Sequence, residues 1–255
     1  MDPVNTPQAV EPVKQSGFFS RLMGVYFSPG ETFNEMAAAP NVLAPIILLL
    51  VLTMGTTFVF STKVSMDQLT EQRTQEMVDS GRITQEQADQ QKEQMKNIAP
   101  YMKVLTPVIA VITTLIMLFA IAGIMKLVSM MIGTENNYMP LVAVTTYSLL
   151  AISIITSLIF MVLIFIKPIE DFDWNNPMGS NVAALLSVIG MEKLPKFLKT
   201  FLSYIDVFFI WRLALLAIGT AAVSKKLKTS SAMLWASGVA LIMALVHSTW
   251  SAIFG

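Results

Sequence analysis

The chain has 255 residues, 54% of them hydrophobic and 13% charged, where soluble domains carry about 25% charged residues. Seventeen basic and seventeen acidic residues cancel, so no global field attracts nucleic acid. The absence of cysteine excludes disulfides, thiolate metal sites and a cysteine nucleophile.

Residues 1–16 are polar, hold three prolines and lack an apolar h-region. They read as a disordered tail with no cleavable signal, which leaves the first span to direct insertion. Phe18, Phe19, Leu22, Met23, Tyr26 and Phe27 then recur at helical spacing, with Ser20, Arg21 and Gly24 between them. The pattern suits a short helix in the membrane interface or one packed on the bundle. Ser28, Pro29 and Glu31 fit N-cap, N1 and N3 of a capping box, so a second short helix is expected to about Ala39. Residues 17–40 thus form a unit of interfacial amphipathic helices, and Pro40 and Pro45 lead out of it.

From there the chain is dominated by five apolar runs, at 43–62, 104–132, 138–166, 201–223 and 231–254. Each is close to or above the ~18–20 residues that cross a hydrocarbon core of roughly 30 Å. A helix satisfies its own backbone in lipid, so the expected fold is an all-α, polytopic bundle of five transmembrane helices over residues 41–255.

Between the first two runs, residues 63–103 carry six basic and seven acidic residues and many glutamines, a solvated helical composition. Gly81 suits the position just past a helix end, and Thr84 with Gln87 suits a capping box. These predict a helical hairpin, 64–79 and 84–99, projecting roughly 20–25 Å at the helical rise. Its apolar seam is sparse. Leu69, Met77, Gly81, Thr84 and Met95 mark it as a candidate partner-docking element.

Residues 133–137 form a tight turn, and 167–200 form a second loop. That loop opens with an acidic stretch, Glu170, Asp171 and Asp173, which lacks the ligand spacing of a calcium loop. Residues 180–189 are apolar but too short to span and suit an interfacial or re-entrant helix. Lys225, Lys226 and Lys228 in the last short loop argue for a cytoplasmic N-terminus. The Lys and Arg totals on the two sides, six against ten, point the other way, so charge alone leaves orientation open.

Phe27-Ser28-Pro29-Gly30-Glu31-Thr32-Phe33, the stretch Leu141 to Ser148, and Ile205-Asp206-Val207-Phe208-Phe209-Ile210-Trp211 running to Gly219 resemble the bacterial branch of the YIP (Ypt/Rab-interacting-protein domain) family. The resemblance covers residues 18–252. It implies a five-helix membrane domain with a cytoplasmic N-terminus and an outside C-terminus, in a bacterial inner membrane. Eukaryotic members are linked to Rab-type GTPases and vesicle trafficking. The acidic element preceding their membrane domain is missing here and the hairpin is much longer than a minimal connector, so Rab binding is not carried over.

Arg212 is the sharpest single candidate site. A charge inside a span costs ~2.5–3.5 kcal/mol on insertion scales, and such a residue faces the bundle interior or a wet cavity. Midway along the fourth run, it reads either as a structural arginine or as a polar site for a lipid headgroup, an anion or a partner. Asp206 lies six residues earlier, about 9 Å along the axis and about 240° around a helix, so the two do not share a face. It suits a helix cap or a partner for Lys199. His247, the only histidine, suits an interhelical hydrogen bond or, with Arg212 and Asp206, a polar intramembrane site.

No HExxH, GxSxG, phosphate-binding loop or Cys/His cluster occurs, so neither enzyme nor cofactor is expected. The expected function is a non-enzymatic membrane scaffold that binds partner proteins or organises lipids, with membrane or soluble proteins as partners and no nucleic acid. The alternative is a transporter, channel or permease subunit using a polar site around Arg212. Transport folds often show repeats or broken helices, and no repeat is evident in the sequence.

Overall fold

A computed structural model describes residues 16–64, 66–134, 136–167, 177–191, 194–224 and 226–254. The acidic stretch with Glu170, Asp171 and Asp173, and nearly all of the expected N-terminal tail, lie outside them. The helices are α1 (Phe18–Phe27), α2 (Pro29–Ala38), α3 (Leu43–Lys63), α4 (Met66–Asp79), α5 (Gln85–Met131), α6 (Tyr138–Ile166), α7 (Val182–Val188), α8 (Lys196–Ser203), α9 (Val207–Ser224) and α10 (Thr229–Phe254). Five of them, α3, α5, α6, α9 and α10, are long and apolar enough to cross a membrane. The chain is therefore an all-α, polytopic membrane bundle, as its apolar runs predict.

The hairpin takes its shape from local chemistry. Gly81 adopts φ +71°, and the amides of Gly81 and Arg82 donate to Val78 O and Met77 O, both at 2.9 Å. That is a Schellman ending for α4. Thr84 Oγ1 accepts from the Gln87 amide and Gln87 Oε1 accepts from the Thr84 amide, the reciprocal capping box that starts α5. α5 then runs unbroken for 47 residues, through Pro100 and Pro107. At the helical rise this is ~70 Å, more than twice a hydrocarbon core, so the second arm of the hairpin and the second span are one rod.

Two local expectations need correction. The Ser28 side chain makes no cap on α2, although Pro29 does occupy N1. Its carbonyl instead accepts from the amide and hydroxyl of Thr32, at 3.1 and 2.9 Å. The fourth apolar run is also not one helix. It divides into the end of α8 and the whole of α9, separated at Tyr204–Asp206. Asp206 Oδ1 accepts from the amides of Phe208 and Phe209, both at 2.9 Å, which fixes a helix start there.

α6 is the axis of the bundle. Leu141 through Ser148 are all buried, and α1, α2, α3, α5 and α9 pack around it. Lipid tails offer no hydrophobic drive for helix association, so close approach and interhelical hydrogen bonds carry the packing. Gly219 of α9 allows such an approach: a Cβ there would collide with Val144 of α6 and meet Phe33 of α2 at 3.1 Å. α1 and α2 pack on α6 and α9. Leu22 and Val25 of α1 face inward, while Phe19, Met23 and Phe27 form an exposed stripe.

Five spans give the molecule two ends. The near end carries α1, α2 and the turns around 133–137 and 226–228. The far end carries the hairpin, α7, α8 and the close of α10.

Candidate functional site

The break between α8 and α9 opens a cavity of about 480 Å³ at the far end. α6, α9 and α10 converge on it, together with the 177–181 segment and the end of α8 at Ser203 and Tyr204. One face of α6 contributes Leu149, Ile152, Ser153 and Thr156, at i, i+3, i+4 and i+7. The first turns of α9 bring Asp206, Phe208, Phe209 and Arg212, and α10 brings His247. Arg212, Asp206 and His247, candidates on separate grounds in the sequence, thus line one space.

Arg212 is not midway along a span. It is the sixth residue of α9, about 8 Å from the helix start at the helical rise. Its guanidinium carbon lies 4.9 Å from the Phe209 ring centre, a cation–π arrangement. Among the described residues it donates no hydrogen bond and makes no ion pair with the protein. Asp206 supplies the nearest attractive charge, but its oxygens are engaged elsewhere. Oδ1 caps α9, and Oδ2 accepts from the Ser180 hydroxyl. Backbone pairing of Asn181 with Asp206 holds the α7 segment against the break. The His247 ring pairs with the Tyr204 hydroxyl, Nδ1 to O 2.9 Å. Burial pushes the Tyr204 phenol above its ordinary pKa.

The hairpin candidates lie elsewhere. Leu69, Met77 and Met95 are half-buried, Gly81 and Thr84 are exposed, and the fully buried positions of the two arms are Thr74 and Ala88. Lys92 and Glu71 approach to 3.9 Å across the arms. Among the described residues no cluster of three or more His, Asp or Glu is placed to hold a metal ion.

The sequence reading missed a second polar centre, at the near end. Arg21, 3% exposed, projects from α1 into the angle with α2. Nη2 and Nε donate to Glu35 Oε1 at 2.9 and 3.2 Å, and Nη1 donates to Ala39 O at 2.9 Å, closing the C-terminus of α2. The Ser16 amide also donates to Glu35, at 2.8 Å. Burial alone would raise the Glu35 carboxyl; the hydrogen bonds from Ser16 and Arg21 and the Arg21 charge outweigh it and hold the group below the usual carboxylate range. Nearby, Asn136 Nδ2 donates to Ser224 Oγ at 2.6 Å, tying the start of α6 to the end of α9. The only signal in the sequence was an arginine on an otherwise apolar helix.

These features make the far-end cavity a polar recess with one cation whose donors are uncommitted, and the near-end centre a closed clamp. No curated protein and no solved structure matches the chain. One protein-family model does, the Yip1 domain, over residues 23–250. That match runs from within α1 to within α10 and takes in part or all of each of the five membrane helices, so the chain belongs to the Yip1-domain family of integral membrane proteins.

Proposed function

We propose that this Yip1-domain protein works without catalysis, as a membrane adaptor whose far-end hairpin docks a partner protein. The observation that carries the reading is the continuity of α5. A single 47-residue helix makes the outer arm a rigid extension of a span. Along it Glu86, Asp89 and Lys96 are exposed, as is Arg82 in the turn that precedes it. A surface of interspersed charge on a rigid support suits a folded protein partner of mixed charge better than a uniformly charged polymer. On this reading the membrane is a bacterial inner membrane with the near end in the cytoplasm. α1 lies in the interface with Phe19, Met23 and Phe27 toward lipid. The chain has no cysteine, so single cysteines at Ser16 and Ser80 would report sidedness by labelling in intact cells. Labelling of Ser16→Cys but not Ser80→Cys from outside would reverse the orientation.

The adaptor reading is tested by photo-crosslinking from Arg82 and Lys96 in native membranes, with Leu241 on lipid-facing α10 as control. A discrete protein adduct specific to the hairpin positions, lost when residues 66–99 are replaced by a short polar linker, is the expected result. Adducts indistinguishable from the control would reject it. One observation favours a second reading, transport: the break between α8 and the fourth span, α9, faces a cavity holding Arg212, Asp206 and His247. Broken helices at a midplane site are a transporter feature. Anion flux in proteoliposomes that disappears in Arg212→Gln would support it, and absence of any flux would dismiss it.

A further inference from the structure

We propose that the far-end cavity binds the phosphodiester headgroup of an anionic membrane phospholipid, with Arg212 as the phosphate-binding residue. This holds whether or not the hairpin docks a partner.

The first argument is charge. A guanidinium presents five N–H donors in a planar fork that matches two oxygens of a phosphate. Arg212 gives none of them to the protein among the described residues, and its guanidinium carbon sits 4.9 Å from the Phe209 ring centre. Among the described residues Asp206 is the carboxylate lining the cavity. It attracts Arg212 but spends its oxygens on the α9 cap and Ser180 and makes no ion pair with the guanidinium. Charged side chains inside a span take a partner group, and the donors of Arg212 are left for one.

The second argument is depth. Asn136 bonds Ser224, so α6 begins level with the end of α9. The 18 residues of α9 climb ~27 Å from that level. The same rise along α6 reaches about Thr156, which also lines the cavity. By the same count the cavity runs from ~17 Å at Leu149 to ~27 Å at Thr156. Its mouth therefore reaches the far side of a core of roughly 30 Å, where phospholipid phosphates meet their glycerol esters. Arg212 is rooted at ~18 Å, and a helical side chain leans toward the N-terminus, here toward that mouth.

The third argument is lining. Ser153 offers a hydroxyl donor and the Tyr204–His247 pair polar ring and phenol groups, while the hydroxyls of Thr156 and Ser180 already donate to Ile152 O and Asp206. Leu149, Ile152, Met178 and Phe208 offer an apolar wall. Next to the break, Ile205, Val207 and Ile210 are 42%, 58% and 48% exposed, a surface suited to acyl chains beside a seated headgroup. The volume of about 480 Å³ is in the range of small-molecule pockets and takes a glycerophosphate group with the start of its chains.

The test is lipid retention by the full-length protein. Delipidated protein in a neutral detergent is titrated with phosphatidylglycerol, with neutral diacylglycerol and separately with inorganic phosphate, and bound lipid is counted by native mass spectrometry. We expect about one phosphatidylglycerol per chain, favoured over diacylglycerol. Arg212→Gln should weaken it by about tenfold or more, the loss of a charge-assisted hydrogen-bonded pair. Arg212→Lys should restore part of that, and Arg82→Gln on the hairpin should change nothing. Ser153→Phe, which fills the cavity and keeps the charge, should also weaken binding. No preference of the wild-type protein for phosphatidylglycerol over diacylglycerol would overturn the proposal without any variant. So would equal binding by wild type, Arg212→Gln and Ser153→Phe. Saturation by inorganic phosphate with no added benefit from the lipid would assign the cavity to a free anion and overturn the lipid assignment.

Discussion

Arg21 and Arg212 are both arginines in apolar helices, and the two ends of the molecule treat them differently. At the near end, Arg21 is enclosed by Glu35 and the last carbonyl of α2. Around it the first half of α6 is buried from Leu141 to Ser148. At the far end the same helix ends in exposed Leu158, Val162, Phe165 and Ile166, and Arg212 faces a cavity. An ion pair with a buried arginine held by three hydrogen bonds is a structural device, because removing one partner leaves the other stranded. A cation facing an open recess with its donors free is available for a ligand. The near-end clamp is thus structural, although that end also holds a cavity of about 600 Å³ lined by Asn136 and Lys226; the ligand proposed above sits at the far end.

The largest effect should come from opening the clamp. Glu35→Ala strands Arg21 and should cost roughly 3 kcal/mol, the lower end of the range for a buried pair because Glu35 is partly exposed; thermal unfolding in detergent measures it. A loss under about 0.5 kcal/mol, the scale of an ordinary surface change, would remove the near end's structural role. The clamp also predicts a pH signature. The folded Glu35 carboxyl titrates below its unfolded value. Its contribution is therefore complete above the ordinary carboxylate range of about 4 and fades as pH falls through the lower folded value. The stability gap between wild type and Glu35→Gln should close on acidification.

Next comes Gly219→Val. The added side chain meets Val144 and Phe33, and overpacking of this kind should cost about 2 kcal/mol. A fully stable variant would show the near-end crossing to be loose. At the far end, Asp206→Ala removes the cap of α9 and should cost about 1 kcal/mol. It should leave the α1–α2 clamp intact, which hydrogen exchange would resolve end by end. The smallest global effect belongs to the hairpin. Gly81→Ala strains a left-handed turn by about 1 kcal/mol. Hydrogen exchange should rise in residues 66–99 while the overall unfolding temperature stays unchanged. A matching fall in that temperature would mean that the hairpin and bundle unfold together.

Much of this architecture was legible in the sequence because lipid enforces it. Apolar runs of spanning length leave the backbone one solution, so five helices followed directly. Gly81 and Thr84–Gln87 announced the hairpin because caps are local chemistry. The break at 204–206 was hidden inside an apolar run with neither Pro nor Gly near it. Only Asp206 marked it, and a lone aspartate does not declare whether it caps a helix or sits within one. The Arg21–Glu35 pair spans 14 residues and a turn, so it depends on the angle between α1 and α2. Ser28 misled because its motif was right but its side chain accepts no amide of the first turn; its carbonyl is engaged instead, by Thr32. The cavity needs one face of α6, the head of α9 and His247 of α10 to converge, and no spacing along the chain encodes that.

The contrast between the two arginines is tested most directly by unfolding Arg212→Gln beside Arg21→Gln in detergent free of anionic lipid. Arg21→Gln should lose stability as Glu35→Ala does, and Arg212→Gln should melt close to wild type. If Arg212→Gln unfolds as readily as Arg21→Gln, Arg212 is part of the scaffold and the far end has no ligand-facing charge.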